Sequence, residues 1–375
     1  MRVELQGFAP PRLAAVKDAF AESFDTGVEL GARFTLVEAG ETVLDLWGGV
    51  ADRRVGTPWT AETLAPVFSV TKAVGALMIA RMVDGGRIAY DQPVADLWPE
   101  FGQAGKAAIT IEQVLSHQAG LPGFPEPMDP GLWTDWDAIC VRLAAMAPMW
   151  PPGSASGYHP VTVGYLAGEI FRRVDGRTIG TAFRQDVGEP HDLDLWIGLP
   201  PGAEVRLAEL QRPTALPEFG EINDATRAAF LAPWSSAAGK AATDYRRMEV
   251  PSTNGYATAE ALARLMGALA DGGRMAGVDI LTPAAIAAMA AERITGQDLV
   301  LPFVMSWGAG VMRNPPNHPW GLGANTFGHS GWGGACAFAD PDARLGGAYV
   351  MNRQGSVLLG DTRPKRLIAA AYAGL

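Results

Sequence analysis

The chain has 375 residues, of which 48% are hydrophobic, and this content is ample for the core of one large domain or of two. The net charge is -10 at pH 7 and the pI is about 5.1, which argues against nucleic acid and anionic membranes as partners, because both require a basic surface. The only cysteines, Cys140 and Cys336, exclude a disulfide framework and a cysteine-based zinc site.

The sequence contains no stretch that is long and apolar enough to predict a transmembrane helix. Near the N-terminus, Glu4 stands where a signal peptide would begin its apolar segment. We therefore expect a cytoplasmic protein.

The first predicted elements are a helix and a β-hairpin. Residues 11–24 carry apolar side chains at helical spacing and end before Gly27, so they predict a helix. Residues 33–38 and 42–47 are β-like runs separated by a short turn, which predicts the hairpin.

The most informative segment is Phe68-Ser69-Val70-Thr71-Lys72, which opens an apolar run over residues 73–83. Residues three apart share a helix face, so Ser69 and Lys72 would face the same space if a helix begins here. The apolar run indicates a buried helix, and a lysine in a partly dry site loses its proton more easily and can act as a base. The positive end of the helix would stabilise an oxyanion, which makes Ser69 a candidate nucleophile. The alternative is that Ser69 only caps the helix.

A short helix is predicted to begin at Thr110, where Thr110 and Gln113 form a capping box, and to run toward His117. His117 is a candidate general base, because histidine is the commonest residue in that role. Its place near a helix end instead favours a structural role in which the ring satisfies terminal carbonyls.

In the middle of the chain, residues 123–250, proline and glycine are dense and helical patterns dominate over strands. Residues 137–146 and 161–174 are the clearest predicted helices. The irregular stretch 200–250 is typical of functional loops or lids, and we expect the whole middle region to be helical and to carry the substrate walls. Tryptophan recurs throughout this middle region, at Trp133, Trp136, Trp150, Trp196 and Trp234.

Helices and then strands are predicted toward the C-terminus. In chain order they are a helix at 258–270 capped by Thr258, a helix from Thr282-Pro283, strands at 306–312, 326–330, 334–338 and 346–352, and a helix at 363–373. The simplest arrangement is an antiparallel sheet built from both chain ends, with the helical middle packed against one face.

Two further segments strengthen the catalytic interpretation of the serine and lysine. The loop 151–160 places Tyr158 just before a helix, and a tyrosine near a lysine ammonium has its phenolate favoured and can relay a proton. Tyr158 could instead only pack against that helix. The segment 328–334 holds His329 and Trp332 among small residues, where a substrate could approach the backbone, although a bend near a sheet edge is the alternative.

These motifs occur in the order and at spacings comparable to those of a known superfamily. Ser69-Val70-Thr71-Lys72 resembles its S-x-x-K signature, Tyr158-His159-Pro160 falls where Y-x-N belongs, and His329-Ser330-Gly331 falls where K-T-G belongs. The segments 67–86, 114–122 and 151–153 are similar to its class C branch. Over nearly its whole length the chain resembles the serine β-lactamase and penicillin-binding-protein superfamily.

This resemblance implies an α+β, β-lactamase-like fold with a central antiparallel sheet flanked by helices. Residues 1–66 and 256–375 would form the sheet domain, and residues 67–255 a mostly helical region with substrate loops, together one continuous catalytic unit. The resemblance also implies an acyl-enzyme on Ser69, with Lys72 and Tyr158 as base and proton relay. No metal or organic cofactor is implied.

The resemblance further implies where a substrate binds. The amides of Ser69 and Trp332 would form the oxyanion hole. The substrate contacts would be His329, Ser330, Gly331 and Trp332, with His159 as a further candidate. Trp332 and the tryptophan-rich middle would form an apolar acyl or alcohol pocket.

Two departures from the family pattern bear on the substrate. Pro160 replaces the asparagine whose side-chain amide contacts a β-lactam, and His329 replaces the lysine whose charge faces the substrate carboxylate. Both changes weaken recognition of penicillins and peptide carboxylates, and the pattern is similar to that of the family VIII carboxylesterases. The sequence thus predicts a serine carboxylesterase that acts on small, short-chain esters.

Other functions on the same scaffold are kept as alternatives. They are a β-lactamase or D-alanyl-D-alanine peptidase, an amidase or acyltransferase, and a non-catalytic binding protein. The sequence predicts a small-molecule partner, neither a nucleic acid nor a membrane, and indicates no particular oligomeric state.

Overall fold

A central antiparallel sheet forms from the two ends of the chain in the computed structural model, which describes residues 3–232, 242–314, 320–321 and 323–375. The strands are β1 Gln6–Phe8, β2 Gly31–Glu38, β3 Glu41–Asp52, β4 Thr57–Pro58, β5 Ala65–Phe68, β6 Leu195–Ile197, β7 Gly255–Ala257, β8 Arg274–Met275, β9 Val278–Asp279, β10 Ile294–Gln297, β11 Val304–Trp307, β12 Met312–Arg313, β13 Phe327–Ser330, β14 Cys336–Asp340 and β15 Leu345–Met351. The order in the central sheet is β1-β3-β2-β15-β14-β13-β12-β11-β10, and β4 also pairs with β3.

Helices fill the middle of the chain and flank the sheet. The α-helices are α1 Ala14–Asp25, α2 Thr71–Asp84, α3 Val94–Leu97, α4 Ile111–Leu115, α5 Trp136–Ala145, α6 Thr162–Asp175, α7 Ile179–Phe183, α8 Asp224–Thr226, α9 Ala242–Arg247, α10 Ala259–Ala270, α11 Pro283–Ala290 and α12 Thr362–Tyr372. Short 3₁₀ turns occupy Pro11–Leu13, Pro99–Gly102, Pro130–Thr134 and Ala203–Arg206, and π turns occupy Arg184–Gly188 and Arg227–Leu231.

Most of the elements predicted from local patterns are confirmed. The N-terminal helix and hairpin correspond to α1 and to β2 with β3, and the later helices to α10, α11 and α12. The capping box of Thr110 and Gln113 is present at the start of α4. The predicted α+β class, with a sheet from both chain ends and a mostly helical middle, is therefore confirmed.

One predicted strand is wrong, because residues 306–312 form the end of β11, a turn and β12 instead of a single strand. Trp307 pairs with Met312 across this turn. Gly310 in the turn has φ of +84°, a left-handed conformation that disfavours residues with a side chain. The chain therefore reverses where the sequence pattern suggested one continuous strand.

Helix α10 packs on β2, β14 and β15 of the central sheet at close range. A Cβ atom added to Gly346 of β15 would lie 2.1 Å from the backbone nitrogen of Gly267 in α10. At its N-terminus, Thr258 accepts a hydrogen bond from the Ala261 amide, as the sequence predicts. The two facing glycines allow this helix and this strand to pack backbone against backbone.

A second sheet, with strand order β5-β7-β6, was not predicted from the sequence pattern. Both of its strand pairs are antiparallel, and β5 ends at Phe68, immediately before Ser69. Helix α2 follows, and its residues from Thr71 to Ala80 are all buried, which confirms the predicted buried helix. The small sheet thereby fixes the backbone from which Ser69 and α2 start.

Within the described ranges, no helix has the length and apolar character needed to cross a bilayer. The same part of the chain contains no group of three or more His, Cys, Asp or Glu side chains that could hold a metal ion. Cys140 and Cys336 are both buried as free thiols.

An ionic network joins helix α12 to the segment that follows α1. Arg363 donates hydrogen bonds to Glu29 at 3.2 Å and to Asp361 at 2.8 Å, and all three side chains are buried. The same guanidinium donates to the Gly333 carbonyl at 2.8 Å. The network therefore also fixes the turn that contains Trp332.

We expect Arg363→Met to lower the free energy of unfolding by about 3–5 kcal/mol, because the buried carboxylates of Glu29 and Asp361 would lose their partner. Arg366→Gln is the matched control on the same helix, since its ion pair with Glu22 is exposed and should contribute about 0–1 kcal/mol. Urea denaturation of both variants measures the difference. Equal losses would contradict the role assigned to the buried network.

Candidate active site

Ser69 lies in a strained turn between β5 and α2. Phe68, the residue before it, has φ of +48°, which is an uncommon conformation for a bulky side chain. The Thr71 hydroxyl donates to the Phe68 carbonyl at 2.5 Å and accepts from the Gly255 amide at 2.8 Å. Thr71 thus ties the turn to β7 and fixes the direction in which Ser69 leaves the strand.

Lys72 is buried beside Ser69, as the i, i+3 spacing predicts. Its Nζ atom lies 3.1 Å from Ser69 Oγ and donates to the carbonyls of Pro160 and Ser252, each at 2.8 Å. Burial lowers the pKa of Lys72 well below its ordinary value, because the charged form loses its hydration. In the neutral form, the two N–H bonds satisfy the two carbonyls and the lone pair faces Ser69 Oγ.

Tyr158 approaches Ser69 from the loop before α6. Its hydroxyl donates a hydrogen bond to Ser69 Oγ at 2.7 Å. Burial raises the pKa of Tyr158 above its ordinary value, although the contact with Ser69 opposes this. Burial therefore favours the protonated phenol, contrary to the expectation that the nearby lysine would favour the phenolate.

Two residues that sequence reasoning missed hold Tyr158 in place. The buried Asp298 carboxylate accepts from the Tyr158 amide at 2.9 Å and from the Ser156 hydroxyl at 3.0 Å. The Trp307 ring stacks on the Tyr158 ring, with centroids 5.6 Å apart and planes 5° apart. Neither residue belongs to a local motif, and no signal in the sequence connects them to a loop about 140 residues away.

His117 is a buried packing partner of Tyr158. Its ring lies edge-on to Tyr158 and Trp307, with centroid distances of 4.9 and 4.4 Å. Its Nδ1 atom accepts from the His159 amide at 3.2 Å, so the expectation that it satisfies helix carbonyls is wrong. Burial lowers the pKa of His117 well below its ordinary value, and the ring is neutral.

Both ring nitrogens of His159 are occupied by the backbone. Nδ1 donates to the Gly157 carbonyl at 2.5 Å, and Nε2 accepts from the Leu121 amide at 2.9 Å. The side chain is fully buried, and burial lowers its pKa to about 3. The structure therefore does not bring the His159 ring to the substrate side, and the ring instead joins the Tyr158 loop to the segment after α4.

His329 lines the cavity above Ser69. Its Nδ1 atom donates to the Ser330 carbonyl at 2.8 Å, while Nε2 is buried and has no hydrogen-bond partner among the described residues. Burial, with a smaller effect of Lys72, lowers the pKa of His329 to about 3. The ring therefore presents an unoccupied acceptor nitrogen and no positive charge.

The turn after β13 lies close to the strand that leads to Ser69. A Cβ atom on Gly331 would lie 2.3 Å from the Val67 carbonyl oxygen, so only glycine permits this approach. In the described part of the chain, neither the Ser69 amide nor the Trp332 amide donates a hydrogen bond to another residue. Both residues line the cavity, and their amides have no backbone acceptor among the described residues.

An apolar cavity of about 610 Å³ opens over Ser69 and Tyr158. Ser330 and Trp332 line it, as do residues of the middle region that was expected to carry substrate walls, such as Phe219 and Phe230. Of the tryptophans predicted for the middle region, Trp133 contributes to the lining, whereas Trp136, Trp150 and Trp196 do not, and Trp234 lies outside the described residues. The mostly apolar lining suits an apolar part of a ligand.

Comparison with known sequences supplies the family context for this geometry. The family model described as Beta-lactamase matches residues 16–372 of the chain. The chain is 35% identical over 368 residues to the Esterase/beta-lactamase LipL of Mycobacterium tuberculosis. That match covers 94% of this chain and 84% of the relative.

Comparison with solved structures agrees with the sequence match. A novel penicillin-binding protein homolog from Caulobacter crescentus is 63% identical, with a TM-score of 0.97, and the match covers 99% of this chain and 100% of that chain. A family VIII carboxylesterase is 40% identical, with a TM-score of 0.93 and the same shares covered. The predicted β-lactamase-like fold is confirmed by both.

We expect Asp298→Ala to lower the free energy of unfolding by about 2–4 kcal/mol, because the amides of Tyr158, Val300 and Leu301 would lose the buried oxygen that accepts from them. Asp137→Ala makes the same chemical change at an exposed position and should cost less than about 0.5 kcal/mol. Thermal unfolding of the two variants tests this. If Asp298→Ala were as stable as the control, Asp298 would not hold the Tyr158 loop.

Proposed function

This chain belongs to the beta-lactamase family and is a serine hydrolase of that fold, and we propose that it is a carboxylesterase that cleaves small, short-chain esters through an acyl-enzyme on Ser69. The observation that carries the proposal is the position of Ser69 Oγ, which lies 3.1 Å from Lys72 Nζ and 2.7 Å from the Tyr158 hydroxyl. This arrangement joins a nucleophile to a desolvated base and to a proton donor.

In the first half of the reaction, Ser69 Oγ attacks the ester carbonyl and its proton passes to the neutral Lys72 amine. The negative charge that develops on the carbonyl oxygen is stabilised by the Ser69 and Trp332 amides. The C–O bond to the alcohol then breaks. Tyr158 gives its proton to the departing alkoxide and recovers one from Lys72.

In the second half, water attacks the acyl-enzyme carbonyl. Lys72, neutral again, accepts the proton of this water directly or through Tyr158. The bond between the acyl carbon and Ser69 Oγ breaks, and the serine is reprotonated as the carboxylic acid leaves. The step therefore consumes one water and requires no cofactor.

Esters are favoured over β-lactams by what surrounds Ser69. Pro160 offers Lys72 only its backbone carbonyl and has no side-chain amide to contact an acylamido group. His329 is neutral, so it gives no charge to pair with a carboxylate beside the reacting bond. The cavity of about 610 Å³ is mostly apolar, which suits a short acyl or alcohol group.

A second candidate function is β-lactam hydrolysis. It is supported by the relative LipL, which is named an esterase/beta-lactamase and is 35% identical to this chain. Both activities would use the same acyl-enzyme on Ser69. A β-lactamase must accept a carboxylate next to the reacting carbonyl, whereas an esterase need not. The relative rates of hydrolysis of esters and β-lactams therefore distinguish the two functions.

We expect strong turnover of p-nitrophenyl esters from acetate to octanoate, highest for the short chains, and little cleavage of nitrocefin. Ser69→Ala should abolish both, with a loss of at least about 10³-fold, because it removes the nucleophile. Dominant nitrocefin turnover would instead establish the β-lactamase candidate.

The control for this experiment is Ser154→Ala, because Ser154 is exposed and its hydroxyl donates only to the Pro151 carbonyl in the same loop. This variant should keep wild-type turnover and react with a fluorophosphonate probe, whereas Ser69→Ala should not. Near-normal esterase activity in Ser69→Ala would refute the proposed nucleophile.

The pH profile tests the role of Lys72, which acts as a base only when neutral. Because burial lowers its pKa well below 10.5, we expect kcat/KM to reach a plateau far below that pH and to fall as the pH decreases through the lowered pKa. Burial lowers the pKa of His159 and of His329 to about 3, so both rings are neutral over the pH range of such an assay. A rate that still rises near the ordinary lysine pKa would contradict the assignment.

A further inference from the structure

A second cavity of about 890 Å³ adjoins the one over Ser69. The two share a wall formed by Phe68, Leu210, Arg212 and Tyr245. The two cavities are therefore adjacent, and we call the second one the side groove.

Arg212 is the one charged side chain in the wall of the Ser69 cavity, within the part of the chain that the structure describes. It is exposed and forms no ion pair with a described acidic residue. Its charge reaches Tyr245, where it lowers the phenol pKa, although burial raises that pKa overall. An exposed guanidinium with no acidic partner among the described residues thus lines a cavity whose other described lining residues carry no charge.

The side groove has a second arginine without an acidic partner among the described residues, Arg246. The acidic side chains of the groove wall are each close to another arginine. The pairs are Asp52 and Glu209 with Arg54, Glu204 with Arg247, and Glu62 beside Arg206. Arg212 and Arg246 are therefore the arginines of the groove wall that form no ion pair with a described acidic residue, whereas Arg54 pairs with Asp52 and Glu209, and Arg206 pairs with Asp194.

We propose that Arg212 and Arg246 bind an anionic group at the end of the substrate remote from the scissile bond. The inference rests on the proposed esterase function and narrows its substrate class to esters that carry a distant carboxylate or phosphate. Arginine suits both anions, because its planar guanidinium donates two parallel hydrogen bonds to them. The neutral His329 offers no such pairing to an anion close to the reacting bond. The proposed site therefore binds an ester whose negative charge lies far from the reacting bond, and not one whose charge lies beside it.

The test compares matched ester pairs that differ only in a terminal carboxylate. On the acyl side, the mono-p-nitrophenyl ester of suberic acid is compared with p-nitrophenyl octanoate. On the alcohol side, the acetate ester of 6-hydroxyhexanoate is compared with hexyl acetate. The rate of hydrolysis of each ester is measured from the acid that it releases. The arm that shows the preference identifies which part of the substrate occupies the side groove.

We expect the charged ester of one pair to have a kcat/KM about three- to tenfold higher than its neutral partner. Arg212→Gln and Arg246→Gln should each reduce this ratio, and added salt should reduce it in the wild type. Arg227→Gln is the matched control, because Arg227 is exposed and lines neither cavity. It removes the same charge and should leave the ratio unchanged.

The possible failures are distinguishable. Equal turnover of charged and neutral esters, unaffected by Arg212→Gln, would overturn the anion site and leave the esterase function standing. An equal fall of the ratio in Arg227→Gln would also overturn it, because the effect would then reflect net charge alone. Absence of turnover for every ester would overturn the esterase function and this inference with it.

Discussion

The burial of Lys72 is the constraint on which the active centre depends. Its nitrogen contacts Ser69 Oγ and the carbonyls of Pro160 and Ser252, so one side chain joins the start of α2, the segment before α6 and the segment before β7. A buried amine and buried carbonyls are costly when unpaired, so these three segments cannot separate without losing stability. The contacts that hold the fold together here also aim the amine at the serine.

The dryness of the site explains its protonation pattern. The same loss of hydration lowers the pKa of Lys72, raises that of Tyr158 and keeps His329 neutral. Before reaction, burial therefore disfavours the ammonium form of Lys72, the phenolate of Tyr158 and the imidazolium of His329. In the proposed mechanism, charge appears only as the oxyanion and the lysine ammonium form, next to donors that are already in place. Among the described residues, Arg212 and Arg246 are exposed arginines without an acidic partner that lie farther from Ser69.

The two ends of the chain and its middle each contribute part of the site. The middle carries Ser69, Lys72 and Tyr158, while the sheet contributes His329 and the turn with Trp332. Gly331 allows that turn to touch Val67, and Arg363 fixes it through the Gly333 carbonyl. A residue of the C-terminal helix thereby positions the backbone near the serine, although it does not approach the cavity.

The sequence alone determined the features that depend on neighbours along the chain. The buried helix after Ser69, the Thr110 capping box and the facing of Ser69 and Lys72 all follow from spacings of a few residues, where local geometry sets the outcome. Tertiary structure alone decided the partners of Tyr158, the burial of both His159 nitrogens, the small sheet before Ser69 and the reversal at Gly310. It also reversed the expected ionisation of Tyr158. These features depend on contacts between distant segments and on the water that such contacts exclude, and neither leaves a periodic or local trace in the sequence.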